Sequence, residues 1–217
     1  MFGIHRLDFL IAIYIFCIAA SEFLGAKTFP LIKIGDFQWN ASVAIFTIPL
    51  IFSINDIISE VYGKERARSL VKSAIFIVAL IFLFDMLATS LPPSTRFAKT
   101  EEAYDTVFGL SARFALASLT AFAVADLLDV YIFSKLREKI GKGKLWLRVN
   151  VSNIISFFID TTLFIFLALY ALDKSFAENV PFLFSIIIPY WLLKCFSSIL
   201  TTPLVYAGVK WLKQEKK

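Results

Sequence analysis

Six runs of roughly twenty mostly apolar residues recur along this chain, and no other feature restricts its fold as severely. A helix rises about 1.5 Å per residue, so about 20 residues cross a hydrocarbon layer about 30 Å thick. The runs extend from about Asp8 to Ala26, Ala41 to Tyr62, Leu70 to Leu91, Leu110 to Ser134, Val149 to Leu172 and Phe182 to Val209. Within lipid every backbone polar group must be satisfied internally, which makes helices the spanning element for runs of this length. The expected fold is therefore all-α, one integral membrane unit of six transmembrane helices over residues 1–217. Composition agrees. Hydrophobic residues make up 59% of the chain and charged residues only 18%, whereas a soluble domain is about 45–50% apolar.

The segments between runs carry turn and interface signals. Pro30 and Gly35 break the chain after the first run, and Pro92-Pro93 end the third. The stretch from Thr95 to Gly109 predicts a short amphipathic surface helix, and Gly141 and Gly143 punctuate a basic loop. Trp39, Trp146 and Trp211 fall near span ends, where aromatic belts form.

Sidedness follows from the basic residues. Fifteen of the 22 Lys and Arg lie at the N-terminus, in the 62–72 and 135–148 loops and at the C-terminus, against five in the opposite loops. The positive-inside rule then puts both termini in the cytoplasm, as an even number of spans requires. The expected location is the cell (inner) membrane, multi-pass. His5–Arg6, the apolar stretch to Ile18 and the small residues Ala19-Ala20-Ser21 imitate a secretory signal. Removing them would leave five spans and put the basic termini on opposite sides, so the segment is read as a retained first helix.

Several chemistries are disfavoured. The +5 net charge is gathered in short interhelical segments rather than along one face, so nucleic acid is not an expected partner. Cys17 and Cys195 stand alone within apolar runs and read as small buried hydrophobes. The one histidine, His5, lies outside the spans, and no Walker, HExxH or Ser–His arrangement occurs. Neither an enzyme nor a cofactor or metal site is expected.

Ionisable residues inside the runs are the informative ones, because a charge at mid-bilayer costs about 2.5–3.5 kcal/mol unless it finds a partner or a cavity. They are Glu22, Asp56, Glu60, Asp85, Arg113, Asp126, Asp129, Asp160 and Lys194. Asp160 and Lys194 fall near the midplane of the fifth and sixth spans, and their opposite charges suggest a pair. Asn150, Asn153, Phe157 and Asp160 share an arc of about 80° at 100° per residue, a stripe that must face protein or water. The stripe serves either a solute pathway or amide bonding between helices. Asn55, Asp56, Ser59 and Glu60 enrich the second span, and Asp126 and Asp129 share a face of the fourth. These acids outnumber the intramembrane bases, so they hold protons or attract a cation or a hydrogen-bond donor, which suits proton coupling. Pro49, Pro189 and Pro203 are expected to interrupt the second and sixth helices, either as broken helices at a site or as ordinary kinks. Glu60-Val-Tyr-Gly-Lys-Glu-Arg-Ala-Arg68 faintly echoes Asp129-Val-Tyr-Ile-Phe-Ser-Lys-Leu-Arg137, as an internal repeat would.

The strings FTIPLIFSINDIISEVYGKERAR, ARFALASLTAFAVADLLDVYIFSKLR, LWLRVNVSNIISFFIDTTLFIFLAL and PYWLLKCFSSILTTPLVYAGV cover the second to sixth spans. Through them the chain resembles the queuosine precursor transporter family, grouped with the vitamin uptake transporters. The resemblance implies a six-helix importer of 7-cyano-7-deazaguanine or 7-aminomethyl-7-deazaguanine. It gives importance to Asp56, Glu60, Arg113, Asp126, Asp129, Asn150, Asp160 and Lys194. Such a base presents two donors on one edge, an acceptor at O6 and flat apolar faces. Asp160 and Asp56 are the expected partners of the donor edge and Lys194 or Asn153 of the acceptor. Asn55 of the second span is a further candidate for the pathway, and Phe157, Phe158, Tyr190 and Trp191 offer aromatic walls. Besides the solute and the lipid bilayer, two assemblies fit this reading, a homodimer and a complex with a separate ATPase module. The competing functions are a substrate-binding subunit of an energy-coupling-factor importer and an intramembrane enzyme with paired carboxylates at Asp126 and Asp129.

Overall fold

The computed structural model describes residues 4–25, 27–34, 37–108, 112–141 and 143–215. For 28, 31, 32, 34, 37–40, 112–115 and 215 it describes the backbone alone. Gly35 and the side chains of Trp39 and Arg113 therefore lie outside the described residues.

Among the described residues, six helical segments are long and apolar enough to cross a membrane. They lie in α1 (Arg6–Leu24), α2 (Ile48–Tyr62) together with the 3₁₀ turn before it, α3 (Lys64–Ser90), α5 (Ala112–Ile140), α6 (Leu145–Leu169) and α7 (Phe176–Glu215), with the short α4 (Glu101–Phe108) in the loop after α3. All six expected spans are present, and α4 falls where the surface helix was expected. Between α1 and α2 the chain forms an antiparallel hairpin of β1 (Thr28–Ile34) and β2 (Phe37–Ser42), pairing Thr28 with Ser42 and Ile34 with Phe37. Pro30 and Gly35 had been read as breaks and no strand was expected there. Pro30 instead sits within β1, opposite Asn40.

The second span occupies the centre. Ser53, Asn55, Asp56, Ser59 and Glu60 are buried, as are Ile51, Phe52, Ile54, Ile57 and Ile58 between them. A helix with polar groups around much of its circumference cannot face lipid, so α1, α3, α5, α6 and α7 pack around α2. The lipid-facing positions are apolar on the outer helices, with Phe76, Leu83 and Phe84 of α3 and Phe196 and Leu200 of α7 exposed.

Three expectations about helix ends are corrected. Pro49 lies in the first turn of α2, after a 3₁₀ turn at Val43–Phe46, where its missing N–H has no helical partner to lose. Pro189 and Pro203 do not break α7, which runs on through both. α7 also begins at Phe176 rather than near Phe182. Ser175 and Glu178 cap each other there, with the Ser175 N–H donating to Glu178 Oε2 at 3.0 Å and the Glu178 N–H to Ser175 Oγ at 3.3 Å. Asn179 ties the preceding loop down by accepting from the Ala171 N–H and donating to the Ala171 carbonyl, each at 2.9 Å.

Gly208 lets α7 approach α2. A Cβ at this position would lie 3.1 Å from Ile57 Cγ1 and closer still to Cδ1. Gly208→Val should therefore force the helices apart at a cost of about 1–3 kcal/mol. A lower thermal midpoint in detergent would show this, and an unchanged midpoint would contradict the close approach.

The first and last helices meet at one end of the bundle. Arg6 donates to the Trp211 carbonyl, its guanidinium lies 5.2 Å from the Trp211 ring centre, and Phe9 meets the same indole edge to face. The start of α1 and the end of α7 are thus on the same side.

Candidate functional site

The buried polar side chains form a column along α2, α5, α6 and α7. At the end where α1 begins and α7 ends, Arg148 donates to Glu60 Oε2 at 2.6 Å, and both side chains are buried. Arg137 stands 3.7 Å from the same oxygen and donates to the Ser59 carbonyl at 2.9 Å. The Arg148 guanidinium also covers the Phe133 ring at 5.0 Å. Arg148 had been counted with the basic loop. It belongs instead to the first turn of α6, and its burial marks it as part of the site's framework. The echoing strings of α2 and α5 meet here through Glu60 and Arg137.

The next layer is acidic. Asp126 Oδ2 accepts from the Tyr14 hydroxyl at 3.0 Å and from Asn55 Nδ2 at 3.1 Å, while Asp129 Oδ1 accepts from Ser156 at 3.4 Å. Asp56 faces Asp129, Arg148, Asp126 and Glu60. Neither Asp56 oxygen has a hydrogen-bond partner, nor do Asp126 Oδ1, Asp129 Oδ2 and Asn55 Oδ1. Polar atoms buried in this way are costly unless something satisfies them.

Asn150, Asn153 and Lys194 join α6 to α7 as three rungs. Asn150 Nδ2 donates to Thr202 Oγ1 at 3.2 Å and Asn153 Nδ2 to Ser198 Oγ at 2.6 Å. Lys194 donates to Asp160 Oδ2 at 2.6 Å and to Thr161 Oγ1 at 3.1 Å. The expected pair is therefore closed, and the two amides act as interhelical links, the alternative weighed for the stripe. Residues 194, 198 and 202 recur at intervals of four, so one face of α7 supplies all three partners.

Aromatic rings separate the two layers. Phe52 of α2 and Phe157 of α6 meet edge to face at 4.6 Å. Glu60 meets Arg148 and Phe52 meets Phe157, so α2 and α6 run antiparallel, and Asp56 and Asp160 lie on opposite sides of this aromatic pair. Around Lys194, the Tyr190 ring lies 4.8 Å from its ammonium, and Phe158 packs edge to face on Trp191 at 5.4 Å. The Trp191 indole donates to the Ile154 carbonyl at 2.9 Å. Lys194 is buried while the Asp160 side chain keeps 18% of its exposure, so this pair is reached from the Asp160 side. Farther along, Glu22 of α1 accepts from Ser118 at 3.1 Å and lies within electrostatic reach of Asp85 and Asp160.

Of the thirteen expected site residues, all but Arg113 have side chains that the structure places in this column or against it. Tyr14, Arg148, Ser156, Thr161, Ser198 and Thr202 were not singled out from the sequence. Small hydroxyls and a phenol inside apolar runs look like ordinary helix content until their partners are seen.

A bundle of apolar helices that buries a charged column is the architecture of a multi-pass membrane protein. Residues 42–208 match the family model described as "Putative vitamin uptake transporter", and the chain belongs to that family. It is similar to the "Probable queuosine precursor transporter" of Bacillus subtilis (strain 168), 31% identical over 77% of this chain and 71% of that protein. A protein of the same description from Haemophilus influenzae is 29% identical over 76% of this chain and 71% of its own length. The "Queuosine precursor transporter" of Escherichia coli (strain K12) is 28% identical over 60% of this chain and 56% of its own. No solved structure matches the chain.

Proposed function

We propose that this chain imports 7-deazaguanine precursors of queuosine across the cell (inner) membrane, with both termini in the cytoplasm. The observation that carries the reading is the Lys194–Asp160 pair near the middle of the bundle, flanked by Tyr190, Phe158 and Trp191. A carboxylate beside an ammonium complements the guanine-like edge of such a base, with Asp160 accepting from N1–H and the exocyclic amine and Lys194 donating to O6. These partly buried aromatic side chains supply faces for the flat ring. The names of the relatives support the same solute class.

The test uses a bacterium able neither to make nor to import these bases. The chain is expressed, nanomolar 7-cyano-7-deazaguanine is supplied, and queuosine in tRNA is read by boronate-gel shift. Modification should return, and it should be lost with Asp160→Ala at equal expression. A well-expressed protein that restores nothing with the cyano base, the aminomethyl base or queuine would refute the solute assignment.

A further inference from the structure

We propose that Asp56, Asp126 and Asp129 form a proton-carrying site, separate from the Lys194–Asp160 pocket, that couples solute uptake to proton flow; this rests on the transporter reading above. The three carboxyls come from two helices and are at most 1% exposed. Four of their six oxygens have no hydrogen-bond partner, including both of Asp56. A carboxyl that binds a proton becomes a donor, and a neighbouring oxygen then gains the partner it lacks.

The surroundings favour a proton over a fixed counterion. Tyr14 of α1 and Asn55 of α2 donate to Asp126, and Ser156 of α6 donates to Asp129. On the inner side, Glu60 of α2 takes Arg148 of α6 and lies near Arg137 of α5, so these guanidiniums are engaged by another carboxylate. On the outer side, Asp160 of α6 acts on Asp126 and is itself held by Lys194 of α7. Arg148 also acts on Asp56 at longer range, but its close partner is Glu60. Among the described residues no group of three or more ligands is arranged to hold a metal ion.

Phe52 and Phe157 lie between Asp56 and Asp160, so the two sites are neighbours on either side of an aromatic pair. A proton taken from the outer solution would rest on this cluster while solute occupies the pocket. It would leave toward the Glu60 end when the bundle opens there.

The test is made on the whole chain in proteoliposomes, with the membrane potential clamped at zero and the uncharged cyano base as solute. One pH unit is worth 1.36 kcal/mol, so a one-unit gradient, acid outside, should sustain about tenfold accumulation at one proton per solute. Solute addition should acidify the lumen. Exchange of labelled for unlabelled solute, which needs no gradient, is measured alongside. In Asp129→Asn the ratio of uptake with the gradient to uptake without it should collapse toward one. Wild-type exchange without gradient stimulation, or stimulation by sodium in place of protons, would overturn the inference and leave the transporter reading intact. No exchange of either deazaguanine would instead sink that reading, and the inference with it.

Discussion

Arg148→Leu should nearly abolish the folded protein. Arg148 is fully buried and bound to Glu60 at 2.6 Å, and removing one partner of a buried pair leaves an uncompensated charge, at a cost of about 3–5 kcal/mol. Arg137 softens the loss only in part, because it stands 3.7 Å from Glu60 and is itself partly exposed. The double variant Arg148→Leu/Glu60→Leu removes both charges and should recover most of the midpoint, since apolar replacement of a whole buried pair is often neutral. Thermal midpoints in one detergent, with yield of monodisperse protein, decide the matter. Arg148→Leu at wild-type stability, or a double variant as poor as the single, would contradict the proposed packing of α2, α5 and α6.

Lys194→Met should act on transport more than on folding. Methionine keeps the length and apolar stem of lysine, and the carboxylate left behind at Asp160 is 18% exposed and can be hydrated. A hydrogen bond from a charged group contributes about 1.5–3 kcal/mol, or about 10- to 150-fold in rate at 1.4 kcal/mol per tenfold. Uptake of labelled 7-cyano-7-deazaguanine at equal expression should fall by that factor. Asp160→Asn should fall less, since an amide oxygen still accepts. Normal uptake by Lys194→Met would show that the pair is structural and would move the pocket elsewhere in the column. The contrast between the two variants follows from depth: one ion pair is sealed, the other opens on one side.

Much of the bundle was legible from elementary constraints. Runs of apolar length set the six helices, and charges too costly for lipid marked the faces turned inward. Asp160 and Lys194 could be paired from their depth alone. Arg148 could not, because a basic residue three positions into a helix reads as part of the loop before it. Its value depends on Glu60, which lies far away in the chain. The β1–β2 hairpin was also missed, since Pro30 and Gly35 look like breaks when no pairing partner is in view.

The sequence by itself determined which segments are long and apolar enough to span a membrane and which carry polar groups inward. These are one-dimensional properties, set by rise per residue, helical period and the cost of a charge in hydrocarbon. Only the tertiary structure decided that α2 is central, that the Asn150 and Asn153 amides serve as links to α7, and that an aromatic pair divides the acids from the lysine. Those outcomes depend on which faces meet across six helices, and partners that close in space carry no signature in their separation along the chain.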